Sequence, residues 1–248
     1  MTLNALAVVR DAEALNKYVS FFRGDGWDQH LLAVEAFKGE LRRAGLKASY
    51  GSPTLFRVRD NLLLVMINHE YGVKPYNAAE MTAATLEGRA EVFRIVRGLN
   101  KLGGPWAGIQ VAATAEQIGV RDGRRIHGRY TITREDLVNG SRHSDAVTRV
   151  FFGADIHATT RGKNEVEAIG HGGFKTQPYD IPLRALIAKD VDGLLMAGRC
   201  ISGDFTAHAS YRVTGDAVAM GEAAGKVAAF AARTHRLPHE INWSEIAG

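Results

Sequence analysis

A single cysteine, Cys200, stands in 248 residues. It excludes an intramolecular disulfide and a cysteine-built metal site, and so sparse a thiol content fits a reducing compartment. Long apolar runs are missing too. The strongest, Leu62 to Ile67, falls far short of the ~20 residues that a membrane-spanning helix needs. The first stretch, MTLNALAVVRDAEAL, lacks the basic region and long apolar core of a secretory signal. Cations are not concentrated: the formal net charge is only +4. Pairs such as Arg42-Arg43 and Arg124-Arg125 are scattered, whereas a nucleic-acid surface calls for a denser stripe. There is no internal repeat, low-complexity tract or obvious interdomain linker. The expectation is a soluble cytoplasmic protein without a membrane, nucleic-acid or metal partner.

Signature motifs are absent as well. The chain has no G-x-G-x-x-G, no P-loop, no H-E-x-x-H and no G-x-S-x-G. A dinucleotide-binding enzyme usually opens with a glycine-rich βαβ unit, because the pyrophosphate needs a helix N-terminus and close backbone approach. No such opening unit occurs here.

What is present is ordinary globular material, 46% hydrophobic and 23% charged, enough for one large domain or two small ones. Asn4 to Val9 reads as a strand. Asp11 can cap a short helix that turns Leu15, Tyr18 and Phe22 inward. Asp28 can cap the next helix, in which His30, Val34, Phe37, Leu41 and Ala44 recur at helical spacing. Gly45 then suits a left-handed C-cap. His30 on that stripe reads as structural. Leu55 to Arg59 and Leu62 to Asn68 form a hairpin through Asp60-Asn61. Asn77 and Glu80 make a capping-box pattern for a long helix. Its buried face is Val92, Ile95, Val96, Leu99 and Leu102, and Gly103-Gly104-Pro105 ends it. Glu87, Arg89, Glu91, Arg94 and Arg97 read as its solvated face.

Ile109 and Val111 alternate like a strand, as does Arg129 to Thr133, and Thr133 with Asp136 repeats the capping pattern. Between them lie Arg121, Arg124, Arg125 and His127. These four basic groups suit an anionic substrate or a phosphate, although a solvated turn is the simpler reading. Val150 to His157 reads as a buried strand ending in polar Asp155 and His157. The glycine-bearing stretch Arg161 to Gly173, with His171, reads as a loop over a site or as a plain surface connection.

The richest stretch runs from Asp190 to Arg233. Leu194 to Ala197 suits a buried strand, and Gly198 allows a turn and close ligand approach. A polar loop with Arg199, Ser202, Asp204, His208 and Arg212 follows. A helix then starts near Thr214-Gly215, with Gly221 and Gly225 one turn apart among alanines. Free amides at that helix start suit an anion. Either this helix packs tightly on a sheet, or it lies against a cofactor.

Two segments together carry a resemblance. Ile181-Pro182-Leu183-Arg184-Ala185-Leu186, then Ala197-Gly198-Arg199-Cys200-Ile201-Ser202, then Ser210 with Arg212 and Gly221-Glu222-Ala223-Ala224-Gly225, resemble the C-terminal segment of the FAD-dependent oxidoreductases of the two-dinucleotide-binding-domain class. Upstream, IGVRDGRRIHGRYTITREDL resembles the same family's arginine-rich segment, with Asp122-Gly123 where Glu-Ser is usual. The likeness covers about Asn77 to Arg233.

The resemblance implies a mixed α/β fold. It would be the C-terminal part of a Rossmann-like FAD-binding fold, with a substrate or cap region over 1–176 and an FAD-binding segment over 177–248. It implies that Gly198 and Arg199 line the ribityl or pyrophosphate part of FAD. Arg212, Val213, Asp216, Met220 and Gly221 would approach the flavin from the last helix. The reaction expected is hydride transfer from a small organic substrate to flavin. His208 is the first candidate base and His157 the second. Arg124, Arg125 and Arg212 are candidates to hold a substrate oxygen or stabilise negative charge. Because the family's glycine-rich opening unit is absent, the chain is either truncated or one subunit of a split enzyme. Met1 and the compact early elements favour a subunit whose partner chain carries that unit. Two other readings are a non-catalytic assembly subunit and a stand-alone binder of small anions through Arg121 to Arg129.

Overall fold

The structure is a computed structural model. It describes every residue except 23, 25, 158–159, 161–168, 171–172 and 247–248. The chain forms two compact units, one built on Met1–Val120 and the other on Arg121–His157 with Ile169–Gly248. Within each, helices pack with antiparallel ladders, which bears out the mixed α/β class.

The first unit contains a four-stranded sheet in the order β2-β3-β1-β4. Its strands are β1 (Ala5–Val8), β2 (Thr54–Arg59), β3 (Leu62–Met66) and β4 (Gln110–Thr114). The β2-β3 turn falls at Asp60-Asn61 as expected, with Asp60 at φ +42°. Asn61 locks this turn to the start of the chain: it accepts from Ala12 N at 3.1 Å and donates to Arg10 O at 2.9 Å. Buried Asn68 works similarly, exchanging two 2.8 Å hydrogen bonds with the backbone of Leu3. A buried amide paired in both directions has its desolvation cost offset and fixes register.

Two helices cover this sheet. α1 (Trp27–Arg43) buries His30, Val34, Phe37 and Leu41, and Gly45 closes it at φ +69°. Asp28 lies inside its first turn, not at the cap, which is Gly26. His30 is structural, with Nδ1 3.0 Å from Ser20 Oγ. α2 (Ala78–Leu102) is capped by Asn77, whose side chain accepts from Ala79 N and Glu80 N. Trp106 anchors the core between Tyr18 and Phe37, and its indole N–H donates to Glu40 at 2.8 Å. The N-cap of the short turn Glu13–Tyr18 is Ala12; Asp11, one residue earlier, accepts from Glu13 N at 2.9 Å, and Phe22 is exposed and not inward. One charged residue on α2 departs from its expected solvated face. Glu91 is only 2% exposed and accepts from Ser49 N at 2.7 Å and Ser49 Oγ at 2.6 Å.

The second unit contains β5 (Ala146–Val150) paired with β8 (Tyr179–Pro182), and a short pair, β6 (Ile156–His157) with β7 (Ile169–Gly170). Its helices are α3 (Arg134–Asn139), α4 (Phe205–Tyr211) and α5 (Thr214–Thr234). The Thr133–Asp136 capping box forms as expected.

Four expectations need correction here. The strand assigned to Val150–His157 ends at Val150, because Phe151, 76% exposed, leaves the ladder. Arg129 to Thr133 makes a single bridge, Ile132 to Gly203, beside another at the preceding Gly128, and no continuous strand. Leu194 to Ala197 is a partly exposed connector with one bridge, Leu195 to Ile187. The polar loop after Gly198 contains helix α4, started by Asp204, which accepts from Ala207 N at 2.7 Å. Most of Arg161 to Gly173, including His171, lies outside the described residues.

Candidate functional site

The two segments singled out in the sequence lie side by side in the second unit. Backbone hydrogen bonds join Ile126 N to Cys200 O at 3.0 Å, Ile132 N to Ser202 O at 3.2 Å and Asp204 N to Ile132 O at 2.8 Å. Side chains reinforce them: Thr131 Oγ1 is 3.0 Å from Ser202 Oγ, and Arg134 N donates to Asp204 Oδ2 at 2.8 Å. Glycine is required at 128, where a Cβ would stand 2.6 Å from the Ser202 Cβ. This approach brings residues far apart in sequence into one polar cluster.

Asp155 is at the centre of that cluster. Its backbone is tied to α4 by a 3.1 Å hydrogen bond from Asp155 N to Ala209 O. Its Oδ2 lies 2.9 Å from His157 Nε2, and Arg212 donates to its backbone carbonyl at 2.6 Å. Burial works against ionisation of Asp155, but His157, Arg212 and Arg121 together hold its carboxyl below the usual carboxylate range. Arg121 Nη1 is also 3.1 Å from His157 Nε2. One ring nitrogen can donate or accept, not both. When Nε2–H serves Asp155, the basic lone pair of the neutral ring is at Nδ1, and Arg121 acts as a neighbouring charge. Asp-x-His on an extended segment puts both side chains on one face. That period-two spacing is the available sequence signal for the pair.

His208 is placed differently. Its side chain is 0% exposed, at the interior face of α4. Its nearest acidic group is Asp122, with Nδ1 to Oδ1 at 3.6 Å, too long for a hydrogen bond. Desolvation pushes its pKa down to about 4. Asp122 opposes that shift, and Arg125 and Arg212 reinforce it. His208 is therefore neutral at pH 7 and packed edge-on against Tyr211. Its linkage has a definite sign. Below the ordinary histidine pKa the unfolded chain binds a proton that folded His208 refuses, so stability falls as pH drops from about 6.5 toward 4. Over the full window the loss approaches about 3 kcal/mol. Denaturant titrations of wild type and His208→Gln at pH 7 and pH 5 should show a smaller pH 5 deficit in the variant; equal deficits would remove His208 as the cause. The comparison with the variant is needed because Asp216 acts oppositely. Burial raises its pKa to about 6, so ionising it costs stability as pH rises through that range.

Of the other candidates, Arg125 is engaged by Asp122 at 2.7 Å, and Arg124 points to solvent. The basic run is thus not a row of free cations. Arg199 Nε reaches Arg212 O at 3.5 Å. Gly198 turns at φ +68° and sits so close to the first turn of α5 that a Cβ would be 3.2 Å from Ala217 Cβ. Val213 is the N-cap of α5 and gives it no side-chain cap. Met220 is fully buried in the core with Ile201 and Tyr211. Gly221 and Gly225 do not pack on a strand; a Cβ at either would meet nothing within 4 Å. The buried face of α5 is instead Met220, Ala223, Val227 and Ala231. Among the described residues no cluster could hold a metal ion, and no helix is long and apolar enough to cross a membrane.

A tight glycine turn laid on an uncapped helix start, flanked by arginines and a carboxylate–histidine pair, suits an enzyme that handles an anionic organic cofactor. The cofactor's identity comes from the family. Residues 9–248 match the family model described as FAD dependent oxidoreductase, so the chain belongs to that family and its cofactor is FAD. The match extends well beyond the expected Asn77 to Arg233. No curated protein and no solved structure matches the chain. The residues present fit this cofactor: the face of α5 carrying Gly221 and Gly225 is open, and the buried Asp216 Oδ2 in its first turn has no hydrogen-bond partner.

Proposed function

We propose that this chain supplies the closing part of an FAD site in an oxidoreductase that removes hydride from a small organic substrate. The observation that carries the reading is the hydrogen-bonded approach of the Arg121–Asp136 segment to the Gly198–Asp216 segment, which assembles the Asp155 cluster. Gly198, Arg199, Arg212, Val213, Asp216 and Gly221 would hold the cofactor, and Met220 would support α5 from the core side. In this reading, residues 1–176 form the substrate-facing region and 177–248 the cofactor-closing segment. A partner chain contributes the glycine-rich dinucleotide unit that these residues do not contain.

Bound FAD would accept the hydride, and the protein would manage the accompanying proton. His157 is the better placed base, because its Nε2 pairs with Asp155 at 2.9 Å, whereas His208 stands 3.6 Å from Asp122. Asp155 orients the imidazole, as a buried carboxylate does for a catalytic histidine. Arg212 holds Asp155 in place and adds positive charge where negative charge develops. Arg124 and Arg125 lie on the same substrate-facing segment. Arg124 would meet an anionic substrate there, and Arg125 would do so on exchanging Asp122 for substrate.

The second reading is an assembly subunit that keeps the fold and binds no flavin. It draws support from the internal Asp122–Arg125 pair and the burial of His208. Purifying the chain alone and with a candidate partner carrying a glycine-rich βαβ unit separates the two readings. Flavin absorbance in the pair supports a shared site; colourless protein in both preparations supports the assembly role.

A further inference from the structure

The first unit contains a cleft of about 640 Å³, lined by α1, α2 and the connecting residues 46–53. That size is typical of small-molecule sites. One wall is firmly fixed. Glu91, nearly inaccessible on α2, accepts both the backbone N–H and the hydroxyl of Ser49, and Ser49 Oγ in turn accepts from His69 N at 3.0 Å. The negative charge of Glu91 is thereby spent on holding the connecting segment and is not presented to the cleft. Behind that segment Tyr50 packs on His69 with ring centroids 4.3 Å apart, which stiffens it further. Buried Leu41 and Tyr50, with Leu46, supply apolar surface.

The remaining charge at the cleft is mostly positive. Arg42 from α1 is exposed and has no ionic partner among the described residues. Arg94 from α2 is half-exposed and reaches Glu91 only at 3.9 Å. Lys38, already paired with Glu35 at 2.7 Å, and Lys47 also line the cleft, and among the described residues lining it Glu87 is the one acidic group besides Glu91. A cleft of this kind favours a ligand with one anionic end for the guanidinium forks and an apolar body for the leucine and tyrosine surface. A sugar would leave the apolar wall unused, and a hydrocarbon would leave the arginines unpaired.

We propose that this cleft binds a small organic anion, a carboxylate or phosphate ester carried on an aromatic or aliphatic body. The site is built wholly from the first unit and does not depend on the flavin reading.

Backbone amide shifts of residues 46–52 in the full chain test this, with phenyl phosphate, benzoate and inorganic phosphate as probes. Phenyl phosphate or benzoate should shift those amides saturably. Arg42→Ala and Arg94→Ala should each weaken binding about tenfold, the loss of one charged hydrogen-bond set. Inorganic phosphate should bind at least about tenfold more weakly than phenyl phosphate, because it buries no apolar surface. The relative strength of the two aromatic probes reports which head group is preferred. No shift at 46–52 with either aromatic anion would overturn the proposal. So would undiminished affinity in both arginine variants, or inorganic phosphate binding as well as phenyl phosphate. The readout needs no flavin, so failure here leaves the proposed oxidoreductase role untouched, and colourless preparations leave this site standing.

Discussion

The chain carrying Arg212→Ala is expected to lose both stability and flavin. Arg212 is the group that ties Asp155 down: its guanidinium donates to Asp155 O at 2.6 Å and lies 3.8 Å from the Asp155 carboxylate, with only 11% of the side chain exposed. Truncation leaves the carbonyl without its donor and the carboxylate with fewer cations around it. An acceptor orphaned in that way costs about 1–3 kcal/mol. The functional loss should be larger. Removing one preorganised charge from the place where negative charge develops slows comparable reactions about 100-fold or more. Arg212→Lys keeps the charge but not the fork, and should restore only part of either property. Flavin-to-protein ratio, rate of flavin reduction by substrate and denaturant midpoint, measured on the full assembly, check the three effects. Unchanged flavin content with an unchanged reduction rate would take Arg212 out of the site.

His157→Ala is expected to do the opposite in one respect: flavin stays and chemistry slows. A positioned general base contributes about 100- to 10,000-fold, so reduction by substrate should fall within that range. Asp155→Asn should fall between wild type and His157→Ala, because an amide holds the ring less firmly than a carboxylate does. His208→Ala gives the contrasting pattern. It empties a fully buried position beside Tyr211, and such large-to-small changes cost about 2–5 kcal/mol of stability. Its reduction rate per bound flavin should stay near wild type. A rate loss in His208→Ala matching that of His157→Ala, at equal flavin content, would reverse the assignment of the base.

The helices α1 and α2 and the β2-β3 hairpin could be read from the sequence because their signals are local. Helical spacing of apolar residues, Asn77 as a cap, Gly45 at a left-handed position and a two-residue turn all act within a few residues. Leu194 to Ala197 misled because four apolar residues carry no period that separates a strand from a connector. The short helix α4 was announced by Asp204 three residues before Ala207, but the polar residues around it disguised the pattern. Glu91 was unreadable for a different reason. Its partner Ser49 is 42 positions away, and nothing in helix α2 itself distinguishes a buried glutamate from a solvated one. The same holds for the site. The two family-like segments were visible in order and spacing. That they would gather Asp155, His157 and Arg212 around one another depends on contacts spanning 57 positions.

The claim that Gly198 to Gly221 closes on the flavin is tested most directly by amide hydrogen exchange of the assembled protein with and without FAD. Strong added protection at residues 198–204 and 213–221, and at 121–130 alongside them, is the predicted result. FAD that binds while leaving exchange in all three stretches unchanged would contradict the account.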